Sequence, residues 1–341
     1  MYPYFLVLLA IYFLSVVSIP YRKHLIFLIF FVFSAVRFDV GFDFNTYYEV
    51  ISNPNHIEYY RFGIVDRALI DVSRILGFEQ FYFIATSLII NYLIFKTLLK
   101  YSSNFFISAL IFFAVPIFYF YSFSIIRQFV AIAIVFYSIR YVIDKKLLFF
   151  IGTIIMASIF HASALVTFPI YFIGSKRFSN GLLFFMSISV IIVPTIMKEG
   201  IVAYLPYYSH YLTSEDGSGW MMMYLLLIFF AFVNIKSNTA KNSREVVYHN
   251  SYVLGLFLYC FFIQFGDVAP RISYYYLIFI ALLIPEVLNK YKKKQIIPLV
   301  YFLFFMLFVV NFYFFDENAY KNPYLPYEYF WAVDIDRYIW K

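Results

Sequence analysis

The sequence predicts an all-α integral membrane protein of about 12 transmembrane or half-membrane helices, and three observations predict it. Of the 341 residues, 64% are hydrophobic and 13% are charged, where a soluble protein carries about a quarter; the mean hydropathy is +0.80. Runs such as "PYFLVLLAIYFLSVVSI" and "QIIPLVYFLFFMLFVVNFYFF" approach the ~20 apolar residues that cross a bilayer. Between the runs, basic residues recur in an order that sorts them onto alternating sides.

The first span is expected at 3–19. It is not read as a cleaved signal peptide, because Arg22 and Lys23 follow the apolar stretch instead of preceding it. A second span, 24–36, ends in the abruptly polar "SAVRFDVGFDFNTYYEV". In the outer segment 37–80 that follows, "GIVDRALIDVSRIL" sets Val65, Leu69, Val72 and Leu76 on one helix face and Arg67, Asp71 and Arg74 on the other. That is the pattern of an interfacial amphipathic helix. Spans are then expected at 81–95, 105–122 and 125–143. The pair 147–160 and 162–173 is short, and charge alternation favours a hairpin turning near His161 over one long helix. The last four are 219–235, 250–266, 271–289 and 296–315, preceded by 181–197. No outer segment is long enough for a core of its own. The expectation is a single polytopic membrane domain, 1–341, with outer loops 37–80 and 198–218, an outer tail 316–341 and both termini outside.

Sorted this way, lysines dominate the inner side (Lys23, Lys96, Lys100, Lys145, Lys146, Lys290 and their neighbours), as topology requires. The outer side instead carries Arg37, Arg61, Arg67, Arg74, Arg127, Arg271 and Arg337 against Lys198, Lys321 and Lys341. Arginine grips phosphate bidentately, which lysine does not. Arg37 ends an outward helix, where the macrodipole favours a cation and a structural anchor is a sufficient reading. Arg127 and Arg271 open helices, "SFSIIRQF" and "DVAPRISYY", with Ser124 placed as N-cap and Pro270 at the first helical position. A cation there opposes the dipole and calls for an anion. Asp43, Asp39 or Asp267 could supply it as structural glue; the sharper alternative is a pyrophosphate bound at helix N-termini on the outer face. His161 lies on the same side, either as a satisfied hydrogen-bonding group or as a base titrating near its ordinary value of about 6.5.

Several classes find no support. The net charge of +7 follows from lysines flanking spans and does not imply nucleic acid. The single cysteine, Cys260, excludes an intrachain disulfide. Asp334 and Asp336 resemble a metal-binding pair of nucleotide-sugar enzymes, but nucleotide sugars are cytosolic and this tail is placed outside. There is no glycine-rich phosphate loop, zinc spacing or nucleophile elbow.

The stretches "VRFDVGFDFNTYYEV", "SFSIIRQFVAIAIVFYSIRYVIDKKLLFFIGTIIMASIFHASALVTFPIYFI" and "PRISYYYLIFIALLIPEV" resemble, in order and spacing, the EpsG/Wzy-type polysaccharide polymerases. Phe42 and Phe44 stand where that family commonly has Thr and Tyr. The resemblance implies a GT-C-like polymerase architecture in the bacterial plasma (inner) membrane, with an active site facing outside. The implied reaction joins undecaprenyl-pyrophosphate-linked oligosaccharide repeats into O-antigen, capsule or exopolysaccharide. Arg37, Arg127 and Arg271 would hold the pyrophosphate, and Tyr47, Tyr48 and Gln128 would form the sugar rim. His161 or Asp43 would take the acceptor proton. No metal or other cofactor is implied; the expected partners are the lipid-linked glycans, the bilayer and a chain-length regulator, and no nucleic acid. Two rivals stay open: a lipid-linked oligosaccharide flippase, which would want cations at the bilayer midplane, and an outer-face glycan ligase.

Overall fold

The computed structural model describes residues 2–176, 219–236, 243–265, 269–290, 296–317 and 322–332, with Phe178, Ser189, Ile192 and Ile196 as single positions. The expected span 181–197 (beyond those single positions), the loop 198–218, Asp267, and the Asp334–Asp336 pair lie outside the described residues. The chain is mostly helical. In order come α1 (Tyr2–Val16), α2 (Arg22–Ala35), β1 (Arg37–Phe38), α3 (Phe44–Ser52), α4 (Ile64–Ile75), α5 (Gln80–Tyr101), α6 (Phe105–Ala114), α7 (Tyr121–Ser124), α8 (Ile126–Ile143), α9 (Leu147–Phe160) and α10 (Pro169–Ile173). There follow α11 (Gly219–Lys236), α12 (Ser243–Phe262), α13 (Tyr274–Leu277), α14 (Ile280–Asn289), α15 (Ile296–Glu317) and β2 (Glu328–Tyr329).

Helices α5 and α8 are each long and apolar enough to cross a bilayer. Segment 270–277 and α14 pass the same test together, bent by 43°. Large apolar side chains stand exposed along α1 (Leu6, Leu9, Phe13), α9 (Leu148, Phe149, Ile155) and α15 (Leu299, Phe302, Leu303). Lipid is the medium in which such a surface is stable. At the centre lies α6, whose ten residues are all buried. It packs against α1, α2, α5, α14 and α15, and a helix enclosed on every side must be apolar all round. Its one hydroxyl, Ser108, donates to the Ala281 carbonyl at 2.5 Å.

The span expected at 105–122 is not one helix. Helix α6 stops at Ala114, Val115 is extended, and Tyr119 N–H returns to the Phe112 carbonyl at 3.1 Å. Pro116 explains the break, since the residue before a proline is pushed out of helical geometry. At ten residues, α6 reaches about 15 Å, half the hydrocarbon thickness. The region 147–173 does double back. His161 is extended between α9 and a 3-10 turn, Ala162–Thr167, and Phe150 near the start of α9 meets Tyr171 of α10 with ring centroids 5.5 Å apart.

Residues sorted to one side by charge do share one end of the bundle. Arg22 donates to the Ser15 and Val17 carbonyls and lies 4.8 Å from the Phe106 ring, and Lys23 lies 5.7 Å from the Phe105 ring. Arg244 and Lys100 flank Tyr101 at the same end. The opposite end holds the 36–80 segment, the starts of α5 and α8, and His161.

At that end the amphipathic helix forms, packed on a face the pattern did not single out. Asp66, Ile70 and Ser73 of α4 are buried, while Ile64, Val72, Ile75 and Leu76 are exposed. The polar residues are engaged instead of solvated. Arg74 donates to the carbonyls of Val50 (2.6 Å), Ile51 (3.1 Å) and Asn53 (3.1 Å), and Tyr59 donates to Asp71. A guanidinium at the C-terminus of α3 satisfies carbonyls the helix leaves bare and complements its dipole. Beneath lies a satellite apolar cluster, including Phe38, Phe44, Tyr47, Phe62, Tyr82 and Phe83.

The expected free tail is also tied down, over residues 322–332. Strands β1 and β2 pair antiparallel, Arg37 opposite Tyr329. Gly41 N–H donates to the Pro323 carbonyl at 2.8 Å and Phe330 N–H to that of Val36 at 3.1 Å. The Tyr4 hydroxyl donates to the Tyr324 carbonyl, and that of Tyr327 to the Phe33 carbonyl. Gly41 is required here: its φ is +112°, and a Cβ would fall 2.5 Å from the Phe123 carbonyl oxygen. Gly41→Ala should therefore lose about 1–3 kcal/mol to backbone strain and more to the clash, seen as a lower thermal midpoint in detergent. Gly77→Ala, at φ +60° with nothing within 4 Å, should lose clearly less; equal losses would refute the clash.

Candidate functional site

Arg37 comes first because it builds the floor. It is 1% exposed. Its Nη1 donates to the Ser34 carbonyl and to Ser87 Oγ at 3.2 Å, and its guanidinium lies 4.6 Å from the Phe123 ring and 5.5 Å from that of Phe83. Gln80 Nε2 donates to the carbonyls of Ala35 (2.7 Å) and Arg37 (2.9 Å). Burial pulls Arg37 down to about 10, opposed by the surrounding tyrosines, so it stays charged at neutral pH. Its side chain is enclosed beneath the turn that carries Asp43.

Arg127, Arg271, Asp43 and His161 are brought together above that floor. Arg127 begins α8. Its Nε donates to Tyr47 OH at 3.2 Å and its Nη1 to the Arg61 carbonyl at 2.9 Å, and the guanidinium stacks 4.4 Å from the Phe62 ring. Among the described residues Nη2 has no hydrogen-bond partner. The N-cap of α8 is Ile125, without a side-chain cap. Ser124, expected in that place, instead accepts from Phe42 N–H at 3.0 Å and so fixes the turn before Asp43. Arg271 sits in the 3-10 turn Ala269–Ser273, ahead of α13, and its carbonyl accepts from Gln128 Nε2 at 3.1 Å. Gln128 thus ties the two arginine-bearing elements together.

Asp43 ends the Gly41 turn as the residue before α3, with no side-chain capping bond. Burial raises it, and Arg271 and Arg127 hold it back. Among the described residues neither arginine pairs with a carboxylate within 4 Å, so the glue reading through Asp39 or Asp43 finds no ion pair. His161 is half-buried, with Nδ1 2.6 Å from Ser163 Oγ, which lies 3.0 Å from Tyr275 OH. Nε2 is left over. Burial, then Arg127 and Arg271, pushes the imidazole down to about 4. The expected value of 6.5 is therefore corrected downward, because burial disfavours the charged ring and two nearby cations oppose it further.

The remaining expected residues lie around this group. Tyr47 is 5% exposed and receives the Arg127 hydrogen bond; burial raises it to about 12, with Arg127 opposing. Tyr48 is 4% exposed and packs in the satellite cluster against Phe38 and Phe44. Sequence reasoning missed Ser163, Tyr275 and Asp66. Asp66, on α4, is fully buried, and Tyr82 OH donates to its Oδ1 at 3.0 Å. Burial raises it to about 6, against the Tyr82 bond and Arg127. Its only signal in the sequence is a carboxylate three residues after Gly63.

Two cations without an ion-paired carboxylate among the described residues, together with a carboxylate and a neutral imidazole at one end of an apolar bundle, can bind a polyanion beside a proton acceptor. If the two arginines set the His161 environment, its ring should stay neutral well below pH 6. Nitrogen NMR of imidazole-labelled protein checks this: the His161 signal should titrate near about 4, and Arg271→Gln should move it upward. A His161 midpoint at 6–7 in the wild type would break the electrostatic link.

The family model described as EpsG family matches residues 22–329, which takes in every residue of this cluster. Neither the curated proteins nor the solved structures give a significant match.

Proposed function

The chain belongs to the EpsG family of Wzy-type polysaccharide polymerases, and from that membership we propose a glycosyltransferase that joins undecaprenyl-pyrophosphate-linked repeat units at the outer face of the plasma membrane. The observation that carries this reading is the convergence of Arg127, Arg271, Asp43 and His161 at one end of the bundle, with neither arginine ion-paired among the described residues. A flippase would want such cations along its path through the midplane; the clustering at one end favours chemistry at the membrane surface.

In this reading the free Nη2 of Arg127 and the Arg271 guanidinium receive the donor pyrophosphate. A hydroxyl of the acceptor repeat attacks the anomeric carbon of the donor glycan. The bond from that carbon to the pyrophosphate oxygen breaks, and polyprenyl pyrophosphate leaves with the bonding electron pair. Its developing charge is met by guanidinium groups held in place beforehand, which is where such sites gain most. No acid is needed for this leaving group.

The acceptor proton passes to His161 Nε2. With Nδ1–H donating to Ser163 Oγ, and Ser163 donating to Tyr275, the ring is oriented and Nε2 carries the lone pair. A ring near 4 is a weak base in the empty site. Bound pyrophosphate offsets both arginines, removes their part of the depression and strengthens the base when the donor is in place. Asp43, between the same cations, is the alternative acceptor. Arg37 serves from beneath, fixing the turn that presents Asp43.

Incubation of the purified protein with a defined lipid-linked repeat tests the reading. A ladder of products is expected; a single addition would indicate a ligase, and no new bond would favour a transporter. Arg127→Lys and Arg271→Lys should fold and yet give short, sparse ladders, because lysine keeps the charge and loses the planar fork. Full ladders from both would reduce the arginines to generic charge. At matched protein level, His161→Gln should slow turnover by about 10²–10⁴-fold, the usual range for loss of a general base. Normal turnover would transfer that role to Asp43.

A further inference from the structure

The buried carboxyl of Asp66 is not used by the chemistry above, and its surroundings are those of a group with two states. It is 0% exposed. Tyr82 OH holds Oδ1, while Oδ2 is buried without a hydrogen-bond partner. An unpaired buried carboxylate oxygen is costly and calls for a reason. Among the described residues, the cation whose charge acts on Asp66 is Arg127, without an ion pair between them. A second path joins them: the Tyr82 ring stacks on Tyr47 at 5.6 Å, and Tyr47 OH accepts from Arg127.

Backbone packs closely around the bare oxygen. A Cβ on Gly63 would stand 3.3 Å from Asp66 Oδ2 and 2.5 Å from the carbonyl oxygen of Ile159, in the last turn of α9. Glycine at 63 thus lets α4 close onto α9, against a backbone carbonyl two residues before His161. The titratable and charged groups facing Asp66 are Tyr47 from α3, Tyr82 from α5 and Arg127 from α8; α9 contributes none.

We propose that Asp66 is the counter-anion of the empty site: its carboxylate offsets Arg127 until the donor pyrophosphate replaces it, and it then takes up one proton from solvent, which it releases when the pyrophosphate product leaves. The inference rests on the polymerase reading and adds to it a coupling between donor binding and protonation. Two anions cannot share one half-buried guanidinium cheaply, and the carboxyl is the one able to neutralise itself. With the free carboxyl raised to about 6, donor affinity should be highest at low pH and fall as pH rises above that value, because each binding event must then draw a proton from a scarcer supply.

The probe is a short-chain prenyl-pyrophosphoryl-N-acetylglucosamine, a diester with no ionisation of its own between about pH 5.5 and 8. Its binding to the full chain in nanodiscs is followed by calorimetry in buffers of different ionisation heat, which counts protons taken up. The wild type should take up close to one proton near pH 7.5 and lose affinity on the order of tenfold between pH 6 and 7.5. Asp66→Asn, a permanent mimic of the neutral form, should take up none and bind with little pH dependence. Tyr82→Phe, which removes the bond that favours the charged form, should move the transition to higher pH. Uptake that persists in Asp66→Asn, or disappears in Asp43→Asn instead, would overturn the proposal. If the asparagine variant does not fold, an unshifted Tyr82→Phe transition overturns it alone. No binding of the diester by the wild type at any pH would sink the polymerase reading itself, a distinguishable result.

Discussion

The buried guanidinium of Arg37, without a carboxylate partner among the described residues, is the interaction on which the charged end of this molecule depends. It is answered by the Ser34 carbonyl, Ser87 and the faces of Phe123 and Phe83. Removing one side of such an arrangement strands a buried charge at a cost of about 3–5 kcal/mol. The residues that meet it belong to α2, α5 and the α7 turn, and its own backbone pairs with β2. One side chain thereby fixes where two helices end, where the strap docks and where the Gly41 turn can run. Asp43 inherits its position from that set.

Above the floor, order and availability are separated. Arg127 is held on two of its three nitrogens, by Tyr47 and Arg61, and Gln128 holds the backbone beside Arg271. The groups left to react are few and face one another through space: Nη2 of Arg127, the Arg271 guanidinium, Asp43 and Nε2 of His161. Such a site costs stability, since like charges are gathered and a carboxyl is buried. The aromatic and aliphatic packing below supplies the rigidity that keeps the groups from collapsing onto one another.

Much of this was legible in the sequence because bilayer physics constrains it strongly. Length and apolar runs gave α5, α8 and α15, and the surplus of arginine on one side pointed to Arg127 and Arg271 at a common end. The hairpin at His161 followed from charge alternation. Local rules did less well where tertiary contacts compete. Ser124 reads as a cap, yet its hydroxyl is claimed by Phe42 N–H across 82 positions. The α4 pattern gives an amphipathic helix with Val72 and Leu76 on its apolar face, and both are exposed; what it does not show is that the helix packs on Asp66, Ile70 and Ser73. The half-length α6 had a local signal in Pro116 that the apolar run outweighed, whereas the perturbed His161 was invisible, since burial and then two distant arginines decide it. Asp66 carried no periodic signal at all.

The strap over residues 322–332 has a consequence for how the protein is made. Tyr4 and Tyr324 are 320 positions apart and yet bonded, and the turn before Asp43 leans on Pro323. Helices inserted early must therefore wait, with the Gly41 turn unsupported, until the ribosome has delivered nearly the whole of the described chain. Contacts of such separation form late. A nascent or prematurely released chain would hold both arginines in the membrane but not the turn that presents Asp43. The strap thus makes the Asp43 turn one of the last parts of this end of the molecule to take its place.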